Sequence, residues 1–126
     1  MANGINVGLD YGQAVAAADY SAKQFYIVDI SGNNAVTVAS SAGQACFGVL
    51  QNAPLSGEVA SVRYGGVSKV VVGTGNIAAG DLVQAAADGT AIAAATGDFT
   101  VGICVIGASA GENATIIVAP SSGQVN

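Results

Sequence analysis

The chain has 126 residues and a mass of 12.1 kDa, room for one domain and an arm. Only 9% of its residues are charged, the net charge is −5, and Lys23, Arg63 and Lys69 are its only cations. A phosphate backbone needs a basic footprint, so nucleic acid is excluded as a partner; the low charge also argues against disorder, and no apolar run reaches the 18 or so residues of a membrane helix.

In chain order, Met1–Gln13 comes first, with Ile5, Val7, Leu9 and Tyr11 alternating at period 2 between Gly4, Gly8 and Gly12. Such a pattern lines one face of an extended segment. Residues 1–20 are thus either the first strand of the domain's own sheet or an arm laid on a neighbouring subunit. Short runs rich in β-branched residues follow at Phe25–Ile30, Ala35–Ala39, Ala45–Leu50, Glu58–Tyr64, Val67–Val72, Asp81–Gln84, Ala91–Ala94, Phe99–Val105 and Asn113–Ala119. Clusters of Gly, Asn, Asp and Ser separate most of them, at Ser31–Asn34, Ser56-Gly57, Gly65-Gly66, Gly73–Asn76 and Asp88-Gly89. Val and Ile total 26 residues and Leu four, a ratio that favours strands over helices. Many short strands at 8–12-residue spacing predict an all-β sandwich or barrel over 21–119. Ala14–Ala18 and Ala85–Ala87 have the composition of single helical turns. Residues 120–126 read as a loose tail.

The nominal hydrophobic content is 52%, but 25 of those 65 residues are alanine. The chain is therefore built from small residues rather than greasy ones. A faint internal repeat runs at an offset of 54: Phe47-Gly48-Val49 is matched by Val101-Gly102-Ile103, and Gly57-Glu58 by Gly111-Glu112. A true repeat would mean two similar β-units around one core, with Gly48 and Gly102 inside strands, where glycine marks a bulge or a close backbone approach.

Catalytic motifs fail on inspection. Gly107–Gly111 has nucleophile-elbow spacing around Ser109, but the chain has no histidine to act as base. Gly75–Gly80 has phosphate-loop spacing, but Asp81-Leu82 follows where Lys and Ser or Thr are required. The carboxylates are scattered singly and Cys46 and Cys104 lie far apart in apolar stretches, so no metal or other cofactor is expected and both cysteines read as buried free thiols. Arg63 and Lys69 flank Tyr64-Gly65-Gly66 and read either as edge-strand charges or as a cationic spot for an acidic partner. The start, Met1–Gly4, lacks the basic and apolar regions of a signal peptide, so synthesis in a cytoplasm is expected.

One ordered set of segments carries a resemblance. It runs Phe47-Gly48-Val49-Leu50, Gly57-Glu58 to Val62, Gly66-Val67, Ile77-Ala78-Ala79-Gly80-Asp81-Leu82-Val83, Asp88-Gly89, Val101-Gly102-Ile103, Ala110-Gly111-Glu112 and Thr115–Val118. Over roughly residues 40–119 the chain resembles the capsid cement, or head decoration, proteins of tailed bacteriophages. That resemblance implies a compact β-barrel or β-tulip domain with an extended N-terminal arm. It implies a non-enzymatic virion protein, made in the host cytoplasm, that binds the outside of the expanded capsid. It further implies homotrimers that clamp the major capsid protein against the pressure of packaged DNA. An arm carrying Ile5, Val7, Leu9 and Tyr11 would then add a strand to a capsid edge, and deleting residues 1–12 would weaken binding while leaving the domain folded. Arg63 and Lys69 are the candidate electrostatic contacts. The alternatives are another virion β-module, such as a tail-tube or fibre element, or a carbohydrate-binding surface domain.

Overall fold

A computed structural model describes residues 7–120. They form nine strands and no helix: β1 (Gly8–Ala16), β2 (Ile27–Gly32), β3 (Ala35–Val38), β4 (Gly48–Leu50), β5 (Val59–Val71), β6 (Leu82–Ala85), β7 (Ala91–Ala93), β8 (Gly102–Ile106) and β9 (Asn113–Val118). One mixed sheet holds them in the order β1-β3-β2-β4-β5-β9-β8-β6-β7. β1 also pairs with β5, which closes the first five strands of that order into a ring. The far end closes by a parallel bridge from Val72, just after β5, to Ala91 in β7.

The two rings share β5 and use the same registers. Val28 opposes Val38 and Gly48 in the first, and Val83 opposes Ala93 and Gly102 in the second. Leu50 opposes Val62 as Cys104 opposes Ile116, and Ala14 opposes Ala60 as Val70 opposes Ala114. Even the parallel closure recurs, with Ala16 opposite Val36 and Val72 opposite Ala91. The turns match too: Glu58 accepts from the Leu55 amide, and Glu112 from the Ser109 amide.

Each ring encloses a narrow core. Ala14, Ala16, Val28, Val36, Leu50, Ala60 and Val62 fill the first, with Tyr20 at its end. The corresponding Val70, Val72, Val83, Ala91, Cys104, Ala114 and Ile116 fill the second. A five-stranded ring leaves little interior volume, so small side chains fit where Phe or Met would force the strands apart. The alanine excess is thus a packing requirement. Ile27, Ala39 and Val49 lie outside the first ring and belong to the apolar cluster of the second. Backbone bonds reinforce this joint, among them those from Ile27 to Gly89, Val71 to Phe25, Gly43 to Ala85 and Phe99 to Gly43.

Three sequence expectations differ from this structure, one of them the helical turn at Ala85–Ala87, where Ala85 instead ends β6 and no helix forms. Gly65-Gly66 does not turn the chain; β5 runs through it as one strand of 13 residues. Gly66 takes φ +94°, and a Cβ there would lie 2.4 Å from the Gly8 Cα. Gly66 is there for close backbone approach of β1 rather than for a reversal. Ala14–Ala18 is no helical turn either: Ala14 and Ala16 are in β1 and point into the first ring. Burial within the ring overrides alanine's weak helix preference.

Candidate functional site

The most distinctive surface lies where β1, β4 and β5 meet. The Phe47 ring, just before β4, is met edge-on by Tyr11 of β1 at 6.0 Å and stacked by Tyr64 of β5 at 6.1 Å. These three of the chain's seven aromatic residues come together with Ile30, Asn34 and Val36 around a cleft of about 570 Å³. The Tyr11 hydroxyl donates to the Asn34 side-chain oxygen at 2.5 Å, and the Asn34 amide donates to the Gln13 carbonyl at 2.7 Å. Asn34 itself holds φ +59° at the β2–β3 turn, a conformation that Asn tolerates better than most residues. The turn and β1 are therefore pinned to each other at the cleft's edge.

Of the arm residues, Ile5 lies outside the described residues. Val7 and Leu9 are exposed, and Tyr11 is partly covered by the aromatic group. The Val7 carbonyl accepts from the Val67 amide, and Leu9 opposes Gly65, so this segment runs along β5. Register shifts between Leu9 and Asp10, and between Tyr11 and Ala14, break the simple alternation.

Arg63 is buried, not displayed. Its Nε and Nη2 donate to the two Asp10 carboxylate oxygens at 2.7 and 3.1 Å, and Nη1 donates to the Val67 carbonyl at 2.8 Å. A forked guanidinium–carboxylate pair of this kind ties β1 to β5. The structure thus turns Arg63 to an internal task, which its place beside Gly65-Gly66 did not reveal. Removing residues 1–12 would take Asp10 away and strand that guanidinium, so point substitutions at Val7 and Leu9 are the cleaner probe of the arm. Lys69 is half-buried in β5 opposite Thr115, and Lys23 lies 4.5 Å over the Tyr26 ring.

Ser109 sits in the turn between β8 and β9, not between a strand and a helix. The Ala78 amide donates to the Asp81 carboxylate at the entry to β6, and Ile77 bridges to Ala108. Among the described residues no three His, Cys, Asp or Glu come together as a metal site, and no helix is long and apolar enough to cross a membrane. Cys46 and Cys104 are both free. Burial, with Asp29 nearby, pushes the Cys46 thiol up to about 12, and burial, with Asp81 nearby, raises Cys104. Hydrogen bonds from the Thr90 hydroxyl and amide hold Asp88 below the usual carboxylate range.

No protein-family model and no curated protein matches the chain. Among solved structures it is similar to the head fibre gp8.5 N base of bacteriophage phi29, with a TM-score of 0.70 and 18% identity. The match covers 94% of this chain and 98% of that one, so it extends over both rings of this chain. At this identity the likeness defines the fold: an all-β architecture of the kind that phage head fibre base has.

Proposed function

We propose that the chain is a non-enzymatic structural protein of a bacteriophage virion, attached to the outside of the head. The observation that carries this reading is the fold match over nearly the whole of both chains to a head fibre base. The resemblance of residues 40–119 to head decoration proteins points to the same place on the virion. The low-charge surface, with Val7, Leu9 and other large apolar side chains exposed, suits a protein covered by neighbours.

On this reading the major capsid protein is the partner, and Val7, Leu9 and Tyr11, with Ile5 upstream, are the contact candidates. Lys69 and Arg63 are the candidate electrostatic contacts, Arg63 being also paired with Asp10. Homotrimers over three-fold points would sum several weak contacts into a firm clamp. Preferential binding to the expanded shell would stabilise that shell by mass action. The match to a fibre base favours a second reading, in which the domain anchors a projecting fibre without strengthening the shell.

Pelleting the purified protein with expanded and unexpanded empty heads of its phage tests the assignment. Saturable binding to expanded heads, weakened by Val7→Asp with Leu9→Asp, is expected. Heads that melt at a higher temperature when coated identify a decoration protein, and unchanged melting identifies a fibre base. Failure to pellet with either form of head refutes both.

A further inference from the structure

The joint between the two rings has a geometry that the ends of the molecule repeat without a partner. In the joint, the outer face of the first ring offers Ile27 and Val49, both fully buried, to the second ring. The second ring receives them among Ala85, Ala91, Val101 and Val118, all no more than 3% exposed. The matching registers give each of these residues an equivalent in the other ring. Ile27 and Val49 pair with each other as Leu82 and Ile103 do. Ile30 and Val36 pair as Ala85 and Ala91 do, and Phe47 and Tyr64 match Val101 and Val118 at the offset of 54 that relates β4 to β8 and β5 to β9.

The equivalents are open on both sides. Leu82 is 47% exposed and Ile103 38%, with Ile117 beside them at 42% where the first ring has the buried Arg63. At the other end Ile30 is 55% and Tyr64 42% exposed, and they line the cleft beside Tyr11 and Phe47. Among the described residues the molecule therefore carries an uncovered apolar face at one end and, at the other, an uncovered cleft equivalent to the surface that covers such a face inside the chain.

We infer that a second copy of this chain docks head to tail, with the Leu82–Ile103–Ile117 face of one copy in the Tyr11–Ile30–Phe47–Tyr64 cleft of the next. The occupant is a second copy because the surface that covers the equivalent Ile27–Val49 face belongs to this same chain and matches the cleft in strand register. Val118 corresponds to Tyr64 in the middle of β5 at the offset of 54, and β1 corresponds to the second half of β5, Ala14 and Ala16 matching Val70 and Val72. In the docked pair β9 of one copy and β1 of the next therefore lie end to end, as the two halves of β5 do. The contact is heterologous, so it closes into a ring or extends, according to the rotation between copies. It stands on the strand registers and does not depend on the virion reading.

Sedimentation of the full chain tests it. Wild type should associate in a concentration-dependent way below about 1 mM, the weak end of specific binding. Leu82→Asp with Ile103→Asp, and separately Ile30→Asp with Tyr64→Asp, should each be monomeric over the same range. Mixed one to one, the two variants should form a heterodimer and nothing larger, because each retains one intact end. All substituted positions are exposed, and thermal melting checks that the variants fold; Ile30→Glu and Leu82→Ser alone serve if a double variant does not. A monomeric wild type at about 1 mM, association that survives in either variant, or a mixture that stays monomeric overturns the proposal.

Discussion

Gly48 and Gly102 occupy equivalent places in the two rings, and substituting either by alanine should damage the fold to a similar degree. A Cβ on Gly48 would lie 2.2 Å from the Arg63 carbonyl oxygen, and one on Gly102 2.1 Å from that of Ile117. Both clashes are with the backbone of the neighbouring strand, so no side-chain rotation relieves them. Restoring normal contact requires the strands to part by about 1 Å, which stretches ladder bonds of about 2.9 Å beyond hydrogen-bonding range. Losing about two such bonds, at about 1 kcal/mol each, together with the strain of overpacking gives about 2–4 kcal/mol. For a domain of this size that lowers Tm by about 8–15 °C. Gly57→Ala is the control. Its φ of +82° disfavours a side chain, but nothing lies within 4 Å of the added carbon. It should cost only the left-handed strain of about 1–2 kcal/mol. Thermal and urea melts followed by circular dichroism measure all three. A Gly48→Ala or Gly102→Ala protein no less stable than Gly57→Ala would refute the close approach of these strands.

Breaking the Asp10–Arg63 pair should be asymmetric: Asp10→Ala leaves a buried guanidinium unpaired and should cost about 2–4 kcal/mol in urea unfolding, more than Arg63→Met, which leaves the more exposed carboxylate to water. Equal losses would contradict the burial of Arg63. Asp88 is held below its unfolded value of about 3.9, so its contribution is full above that pH and lost as pH falls through the folded value. The stability gap between wild type and Asp88→Asn should therefore close on acidification below about pH 4, and a gap independent of pH would count against the Thr90 hydrogen bonds. With the Cys46 thiol near 12, its thiolate fraction at pH 8 is about a thousandfold below that of an ordinary cysteine. Iodoacetamide should modify the folded protein correspondingly slowly and the urea-unfolded protein at the normal rate; rapid labelling of the folded form would place Cys46 in water.

The strands were legible because Val and Ile runs end at turn clusters, and eight of the nine strands fall largely within runs marked out by composition alone. β5 was not read as one strand because Gly65-Gly66 has the composition of a turn, and the reason for Gly66 is the Gly8 backbone more than fifty residues away. The offset of 54 that relates Phe47-Gly48-Val49 to Val101-Gly102-Ile103 is also the offset between the β4–β5 and β8–β9 registers. β2 and β3 relate to β6 and β7 at 55, because the loop before β8 is one residue shorter than the loop before β4. The aromatic cleft and the Asp10–Arg63 pair had no local signal. Tyr11, Phe47 and Tyr64 come from three separate segments, and only ring closure brings them together.

The central claim, a structural protein on the outside of a phage head, is tested most directly by imaging heads of its phage with and without the protein. Electron cryo-microscopy should show difference density of one domain's size on the outer face of the shell, restored when purified protein is added back. Density confined to the tail, or particles identical in both preparations, would contradict it.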